Sequence, residues 1–311
     1  MILNQDTVSA ADATIIEQSV AHLSSALVYW FSQPLDPSRR FFWLFLLSSA
    51  LLAIGVSWFD RKKAGGSLSF SALLNIFFNK RYWLHRSTLV DVSLSMLNTV
   101  IRFALLVPII GSHLWLTLWT AKSLLAWFDT PVMPDLPWYS IAALYSLTFF
   151  VLEDLSRFLL HRAMHGAPWL WRFHRVHHSA TILTPLTLQR VHPVEMTLYY
   201  LRGIIVFGTV SGVFLYLFAN DLTTWDVLGV DLLGFAFAIL GANLRHSHVW
   251  LSFGRFERWF ISPAQHQLHH SSAAEHQNKN YGSYLSCWDR WSRTLIFSGK
   301  KRRLMFGLSQ R

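Results

Sequence analysis

Histidine is the residue type whose spacing stands out in this 311-residue chain, which contains 15 histidines. His161 and His165 lie four residues apart, and the pattern HxxHH occurs twice, beginning at His174 and at His266. Residues at positions i, i+3 and i+4 of an α-helix share one face, so each array would direct its imidazoles towards one place. Neutral imidazole is a common ligand of transition metals. The arrays therefore predict a metal centre.

Chance is a poor explanation for two such arrays. With this histidine content, one HxxHH array would arise in about one of thirty chains of this length, and two in about one of a thousand. A lone HxxxH pair would be much weaker, because surface and interfacial histidines are common. The histidines outside the clusters, His22, His85 and His113, are interpreted as non-ligands. The arrays supply eight candidate ligands: His161, His165, His174, His177, His178, His266, His269 and His270.

The ligand type limits the class of metal site. Ferritin-like di-iron bundles combine glutamates with Glu-x-x-His pairs, and no Glu-x-x-His occurs in this sequence. A zinc hydrolase usually uses three protein ligands for one ion, so eight imidazoles indicate two metals. Iron, zinc and copper all accept imidazole. Cys287 is the single cysteine, which excludes a cysteine-based zinc or iron–sulfur site, and we predict a packing role for it.

The composition indicates a membrane protein. Hydrophobic residues make up 52% of the chain and charged residues only 14%, against about 25% charged in soluble domains; the mean hydropathy is +0.31. The net charge is +10, and the basic residues lie beside apolar runs, as expected for anchors at an anionic lipid surface. No nucleic-acid recognition motif accompanies this charge, so we expect no nucleic-acid partner.

Apolar runs predict five membrane spans, with an interfacial helix before them at residues 15–30. The Trp-rich residues 113–128 are interpreted as an interfacial or re-entrant segment. Basic residues after the first span place that side in the cytoplasm by the positive-inside rule, and five spans then return both HxxHH arrays to the cytoplasmic side. The predicted spans are 41–59, 88–111, 136–152, 196–219 and 227–244.

The predicted fold is all-α, a polytopic transmembrane helical bundle with a cytoplasmic, histidine-rich di-metal cap. We expect an N-terminal membrane-anchoring region at residues 1–135, a catalytic region at 136–298 and a basic C-terminal tail at 299–311.

Four segments, taken in order, carry a resemblance to a known family. They read LEDLSRFLLHRAMHGAPWLWRFHRVHHSATILTPLTLQRVHPVE, NLRHSHVWLSFG, PAQHQLHHSS and NYGSYLSCWDRW. Over residues 138–297 the chain resembles the fatty acid hydroxylase / sterol desaturase superfamily of integral-membrane di-iron proteins. The resemblance implies that the eight array histidines and His246 ligate two iron ions, for which zinc can substitute in purified protein. It also makes His192 a ligand or a residue that supports one, and ranks His248 lower.

The resemblance further implies a reaction. Such proteins use O2 and external electrons to hydroxylate, desaturate or cleave lipids, including sterols, fatty acyl chains and alkylglycerols. The sequence contains no flavin, haem or iron–sulfur motif, so we expect a separate electron-donor protein. Two rival functions remain open at this point, a membrane metal transport or storage protein and a di-zinc membrane hydrolase. Transport sites commonly lie near the bilayer midplane, whereas these arrays lie in polar segments.

Several other side chains are candidates for supporting roles. Asp154 lies seven residues, about two helical turns, before His161 and could accept a hydrogen bond from the second nitrogen of that imidazole. Glu195 and Asp289 are similar candidates, and the alternative for each is an ordinary interfacial carboxylate. The segment Asn280-Tyr281-Gly282 either caps the last helix or positions a ligand loop. The tryptophans Trp169, Trp171 and Trp288 are interpreted as an interfacial aromatic belt, with a substrate cage as the alternative.

Overall fold

A computed structural model describes residues 24–131, 136–218 and 232–308, and these residues contain helices and loops with no β-strand. Residues 24–32 are helical and lead into a 3-10 turn. The α-helices that follow are α1 (Trp43–Lys63), α2 (Phe70–Phe78), α3 (Lys80–Trp83), α4 (Arg86–Ile101), α5 (Val107–Ile110), α6 (His113–Phe128), α7 (Trp138–Gly166), α8 (Pro168–His178), α9 (Pro193–Phe218), α10 (Leu232–Ile239), α11 (Pro263–His269) and α12 (Cys287–Trp291). The all-α prediction is confirmed.

Three stretches of the described residues are long and apolar enough to cross a membrane: Trp43–Lys63, Arg86–Phe128 and Pro193–Phe218. They correspond to three of the five predicted spans. The predicted span 136–152 forms the first part of α7 and is not among the three, because the helix continues into a charged half that ends at Gly166. The predicted span 227–244 lies partly outside the described residues, and α10 within it has eight residues.

Residues 113–128 form a helix of their own, α6. The chain from Arg86 runs through α4, a π-helical turn at Arg102–Leu106 and α5, and α6 begins after Gly111 and Ser112. Gly111 has a φ of +79°, a conformation that glycine adopts without steric cost. Helix α6 packs along α9, and the interfacial or re-entrant position of residues 113–128 stays a prediction.

Helix α4 has a polar inner face and an apolar outer face. Its buried residues are Ser87, Thr88, Asp91, Ser95, Asn98 and Thr99. Large apolar side chains such as Leu89 and Leu97 are about half exposed, at 57% and 48%. A helix in water would carry the opposite pattern, since apolar side chains there turn towards the core. This reversal fits a helix with lipid on one side and a polar site on the other.

Helices α6, α7 and α9 form the best-packed group. A Cβ atom on Gly208 of α9 would lie 2.7 Å from Leu116 Cβ, and one on Gly212 would lie 2.5 Å from Thr120 Cβ. Small residues allow such close approach of helices in membranes. The contacts advance together along both chains, so α6 and α9 run parallel.

Helix α7 crosses α9 in the opposite direction. Tyr145 hydrogen-bonds Ser211 at 2.9 Å near one end of the pair, and Arg202 donates to Glu153 at 2.6 Å nearer the other. Between them, Tyr145, Phe149, Val210 and Phe214 belong to one buried cluster. This antiparallel packing brings the C-terminal half of α7, with His161 and His165, to the N-terminal end of α9.

Some sequence predictions fall outside the described residues. These are His22, most of the predicted interfacial helix at 15–30, the last residue of the predicted span 196–219, the first five residues of the predicted span 227–244, and the last three residues of the basic tail. The division at residues 135 and 298 stays a prediction.

Candidate metal centre

Nine histidines converge in two groups. The five-histidine group consists of His161, His165, His174, His178 and His269, and the four-histidine group consists of His177, His246, His266 and His270. Within each group, one ligand atom from every residue lies within 4.8 Å of all the others. Each group is therefore small enough for all its imidazoles to face one ion.

The two HxxHH arrays contribute to both groups in the same way. His174 and His178, the outer pair of the first array, enter the five-histidine group, while the middle residue His177 enters the four-histidine group. In the second array the outer pair enters the four-histidine group, and the middle residue His269 enters the five-histidine group. Each array thus connects the two groups, which lie side by side, with the ring centroids of His178 and His270 only 4.5 Å apart.

Three helical segments and one turn supply these residues. Helix α7 ends at Gly166 with His161 and His165 four residues apart in its last turns, and α8 begins at Pro168, where a proline can start a helix because its missing N–H has no intrahelical partner. His246 ends a 3-10 turn, Ala242–His246. Helix α11 begins at a capping box in which Ser262 and Gln265 bond each other's backbone N–H.

Burial keeps these imidazoles neutral. Removal from water is the largest cause of their pKa shifts, and it lowers the pKa of His161 to about 3 and that of His177 to about 4. The pKa values of the other seven are lowered well below the ordinary value by the same cause, with neighbouring histidines adding to it. A neutral imidazole is the form that binds a metal.

Hydrogen bonds at Nδ1 orient several of the rings. His161 Nδ1 lies 2.8 Å from Tyr281 O, and His269 Nδ1 lies 2.7 Å from Lys279 O. His177 Nδ1 lies 3.2 Å from Arg190 O. A backbone carbonyl only accepts, so each Nδ1 carries the proton and leaves a lone pair on Nε2, as in many metal-bound histidines.

The Nε2 atoms show that the donor set fits metal ions. All five Nε2 atoms of the five-histidine group are buried without a hydrogen-bond partner. In the four-histidine group, His246 Nε2 lies 3.0 Å from the Nε2 atoms of both His266 and His270, and 3.3 Å from that of His177. Buried nitrogens normally have partners, and a cation between them would satisfy both groups.

Glu195 supports the five-histidine group as predicted. Its Oε1 lies 2.8 Å from His174 Nδ1, and both side chains are only 3% exposed. Glu195 is in the first turn of α9, where the partial positive charge of the helix N-terminus favours a carboxylate. The carboxylate thus fixes the ring of His174 while its Nε2 faces the other histidines.

Asp154 does not contact a histidine, so the predicted bond to His161 is wrong. Its carboxylate accepts from the backbone N–H groups of Tyr284 and Leu285 and from the indole N–H of Trp288, at 2.8 to 3.0 Å. The reason is a long-range contact: the segment after Tyr281 packs against α7, and its N–H groups occupy the oxygens of this carboxylate. Asp154 therefore connects α7 to the segment whose Tyr281 carbonyl holds His161.

Asp289 also contacts none of the described histidines directly, and instead bonds the segment whose Tyr281 carbonyl contacts His161. Its carboxylate accepts from the backbone N–H groups of Tyr281 at 2.8 Å and Gly282 at 2.7 Å. A Cβ on Gly282 would lie 2.8 Å from Leu285 O, so no larger residue fits there without a shift. Of the two alternatives for the segment 280–282, positioning of ligands is the one that its contacts support.

Sequence reasoning missed Arg190, whose carbonyl contacts His177. The Arg190 guanidinium is 3.0 Å from Asp91 Oδ1, and the Asp91 side chain is fully buried. Arg190 also bonds Val176 O and Ser179 Oγ near the end of α8. The available signal was Asp91 itself, a charge inside a predicted span, which usually indicates an ion pair or a functional site.

Five histidines among the described residues lie outside both groups: His85, His113, His192, His248 and His276. His192 Nδ1 accepts from Val194 N at the start of α9, and its ring lies against Phe173. His248 stacks on Tyr82 at 4.4 Å. His85 caps the start of α4, and His113 packs on Phe207. Closeness in sequence to the arrays therefore does not by itself place a histidine in either group.

The predicted aromatic belt is wrong for Trp288, which is buried, and stays a prediction for Trp169 and Trp171. Trp171 lies against the rings of His165 and His178, with centroids 5.0 and 5.5 Å apart, so it covers the five-histidine group. Trp288 is buried and donates to Asp154. Trp169 is 62% exposed. Cys287 packs beside the buried cluster of Phe158, Tyr281 and Trp288, as its predicted packing role requires.

A cavity of about 610 Å³ opens onto both histidine groups. Its wall includes His161 and His174 from one group and His177, His246 and His266 from the other. The remaining wall comes from the polar face of α4, from α9 and from the segment before α1. A cavity of this size is typical of a site for a small molecule or part of a lipid.

Comparison with known proteins agrees with this geometry. The profile of the family described as fatty acid hydroxylase matches residues 146–294, which contain all nine converging histidines. Over this stretch, which is just under half of its length, the chain is similar to the fatty acid hydroxylase family. No solved structure matches the chain.

Three relatives illustrate the range of this family. The ornithine lipid hydroxylase OlsE of Rhizobium tropici is 31% identical over 140 residues, which cover 45% of this chain and 38% of that protein. The fatty acid hydroxylase vlmA of a Lecanicillium species is 29% identical over 169 residues, 51% of this chain and 43% of that protein. The cholesterol 25-hydroxylase of Rattus norvegicus is 26% identical over 193 residues, 60% of this chain and 58% of that protein. The chain thus matches less than two thirds of the length of each.

Proposed function

We propose that this chain is a membrane-bound di-iron oxidoreductase that uses O2 and external electrons to hydroxylate or desaturate a lipid. The observation that carries the proposal is the pair of buried histidine groups at the end of a cavity beside apolar helices. Relatives named for hydroxylation of ornithine lipid, fatty acids and cholesterol support a lipid as the substrate. A sterol, a fatty acyl chain or an alkylglycerol would each be a substrate of this kind.

The five-histidine group would hold one iron and the four-histidine group the other. When bound, the irons supply the activation of O2 that allows hydrogen to be removed from an unactivated C–H bond. Nine neutral ligands leave the charge of two cations largely uncompensated, and Glu195 offers one nearby negative charge. Insertion of one oxygen atom into a C–H bond consumes O2, two electrons and two protons and releases water, so a separate electron-donor protein belongs to the proposal.

The protein's own contribution is positioning. The cavity presents one face of the substrate to histidines of both groups, and holding a carbon atom there replaces a chance encounter with a fixed geometry. Tyr281 O, Lys279 O and Glu195 hold the rings of three ligands before the metals bind. Preformed orientation of this kind limits the rearrangement that metal binding and reaction require.

We place the histidine groups on the cytoplasmic side. In support, the C-terminal end of α1 carries Arg61, Lys62 and Lys63, and Lys301 of the basic tail lies 2.8 Å from Asp60 at the same end. Basic residues favour the cytoplasmic face. Labelling of single cysteines introduced at residue 62 and in the tail, in intact cells and after permeabilisation, would test this orientation.

Metal analysis combined with lipid-dependent oxygen uptake tests the proposed function. The purified protein should contain two irons per chain and consume O2 only with a lipid and a reductant. His177→Ala and His269→Ala, one from each group, should abolish uptake, whereas His248→Asn, outside both groups, should not. Two zinc ions with hydrolysis of a lipid ester would instead indicate a di-zinc hydrolase, and metal binding without lipid turnover would indicate transport or storage. Either result would overturn the proposal.

A further inference from the structure

The cavity beside the histidine groups carries a large excess of arginine. Among the described residues, six arginines line it and Glu195 is the only carboxylate in its wall. Three of the six have a carboxylate partner: Arg39 pairs with Asp36, and Arg157 and Arg202 share Glu153. The arginines of the wall are Arg39, Arg40, Arg102, Arg157, Arg202 and Arg245. Metal ions in the adjacent groups would make this region still more positive.

Arg40 and Arg245 lie near one another and have no carboxylate partner in the part of the chain that the structure describes. Arg40 Nη2 donates to Tyr284 OH at 3.3 Å, and the Arg245 guanidinium lies 5.5 Å from the centroid of the same ring. Arg245 also donates to Ser283 O. Burial and the charge of Arg40 lower the pKa of Arg245 to about 10, so Arg245 remains a cation at pH 7. Two cations therefore contact the same tyrosine, Arg40 at its hydroxyl and Arg245 at its ring.

Each of these side chains keeps a buried donor without an acceptor. Arg40 Nη1 and Arg245 Nε are both inaccessible to solvent and make no hydrogen bond in the structure, and Arg245 as a whole is only 9% exposed. Asp154 is the carboxylate that acts electrostatically on Arg245, but its oxygens already accept from three other N–H groups. Unpaired buried charge is unfavourable, so a site of this kind normally receives a counter-charge.

A hydrogen bond from Asn243 connects the two segments that carry the arginines. Asn243 Nδ2 donates to Arg40 O at 2.9 Å, which fixes the segment before α1 against the turn Ala242–His246. Arg245 and the ligand His246 are adjacent residues of that turn. A group bound by both guanidiniums would consequently lie beside the four-histidine group.

We propose that Arg40 and Arg245 bind the oxyanion of the substrate, and that the substrate is a lipid with a negatively charged carboxylate or phosphate group. The planar guanidinium donates two parallel hydrogen bonds to either oxyanion, which makes arginine well suited to both. The inference rests on the proposed function for the assumption that a lipid enters the cavity. The same cavity reaches Ile204 and Arg102 in the apolar helical stretches, so a lipid tail can extend from this end towards the membrane.

Equilibrium binding tests the inference without turnover. The iron-loaded protein in an uncharged detergent, kept free of O2, would be titrated in a calorimeter with oleate, dioleoyl phosphatidate and oleyl alcohol. We expect at least one of the two anionic lipids to bind about tenfold or more tightly than the alcohol, the effect of one charge-assisted pair. The anion that gains most identifies the group. Equal affinity for all three lipids would overturn the proposal, as would equally tight binding of acetate or inorganic phosphate.

Variants separate the two arginines from general charge. Arg40→Gln with Arg245→Gln should reduce the affinity for the anionic lipid to that for oleyl alcohol and leave the alcohol affinity unchanged. The control is Arg255→Gln with Arg258→Gln, which removes the same charge from a different cavity. If the double variant does not fold, Arg40→Gln alone can be tested, because the Arg40 side chain is only half-buried and its replacement should leave the fold intact. This single variant should bind the anionic lipid several-fold more weakly than the wild type. Retention of the anion preference in the folded variants would refute the assignment.

The binding experiment fails independently of the proposed function. Loss of the predicted anion preference in a protein that still oxidises lipids would leave the di-iron oxidase intact and remove only the anion site. Conversely, an anion preference in a protein without oxidase activity would keep the site and remove the reaction.

Discussion

Replacement of Glu195 by alanine should weaken the binding of one of the two metals. The carboxylate oxygen lies 2.8 Å from His174 Nδ1, and both side chains are 3% exposed, so solvent screens this contact very little. A hydrogen bond to a charged partner contributes about 1.5–3 kcal/mol. Removal of a residue that orients a metal-bound histidine typically costs about 10–100-fold in metal affinity, or about 1.4–2.7 kcal/mol. The two ranges overlap, and we expect a loss within the second.

Glu195→Gln separates charge from geometry. The amide oxygen still accepts from His174, so only the charge-dependent part of the bond is lost, about 1 kcal/mol or fivefold in affinity. The order of affinity should therefore be wild type, Glu195→Gln, Glu195→Ala. The assay is equilibrium dialysis against buffered Fe²⁺ without O2, with iron per chain measured by plasma mass spectrometry.

Glu257→Gln is a matched control for this series. Glu257 is 1% exposed, and its carboxylate accepts from Ser252, Ser262 and Ser298 and from no histidine. This variant should lower the melting temperature without changing the iron dissociation constants. If Glu195→Ala bound two irons as tightly as the wild type, Glu195 would not position His174, and the account of the five-histidine group would be wrong.

Three further predictions concern stability. Asp154→Asn weakens the bonds to three N–H groups and should destabilise the protein by about 2–4 kcal/mol, measured by thermal melting; an unchanged melting temperature would show that Asp154 does not hold the Tyr281 segment. Gly212→Ala should cost about 1–3 kcal/mol from overpacking between α6 and α9, whereas Gly203→Ala, whose Cβ meets nothing within 4 Å, should have no such cost; equal melting temperatures would contradict the packing. Chelation of bound iron should lower the melting temperature, since a ligand at 100 times its dissociation constant stabilises by about 2.7 kcal/mol; identical melting of the apo and iron-loaded forms would be inconsistent with metals held by the nine converging imidazoles.

Local periodicity explains why so much of the site was predictable. Eight of the nine converging histidines belong to arrays in which i, i+3 and i+4 spacing already directs them to one side of a helix. The ninth, His246, was identified through the family resemblance. His192 was a candidate for the same reason, yet the structure places it at the start of α9, outside both groups. Helical spacing predicts the direction of a side chain within a helix. His192 lies just before α9, so helical spacing does not predict where its side chain points.

The carboxylates show the limit of local reasoning. Glu195 was one of three carboxylate candidates, and it does contact a histidine, His174, from the first turn of α9. Asp154 lies two helical turns before His161, and that spacing suggested a contact which the structure does not contain. Tyr284, Leu285 and Trp288 occupy its oxygens instead, and a contact across about 130 residues leaves no pattern in a single sequence.

The amino-acid sequence by itself determined the chemistry that this protein can offer: neutral imidazoles in helical spacing, almost no thiol, and apolar stretches long enough for a membrane. Only the tertiary structure decided how nine histidines divide into five and four, because the middle histidine of each array points to a different group from its neighbours. The tertiary structure also decided what holds the rings, since backbone carbonyls of Lys279, Arg190 and Tyr281 do so. Every residue has such a carbonyl, so the residue type cannot reveal which ones are used.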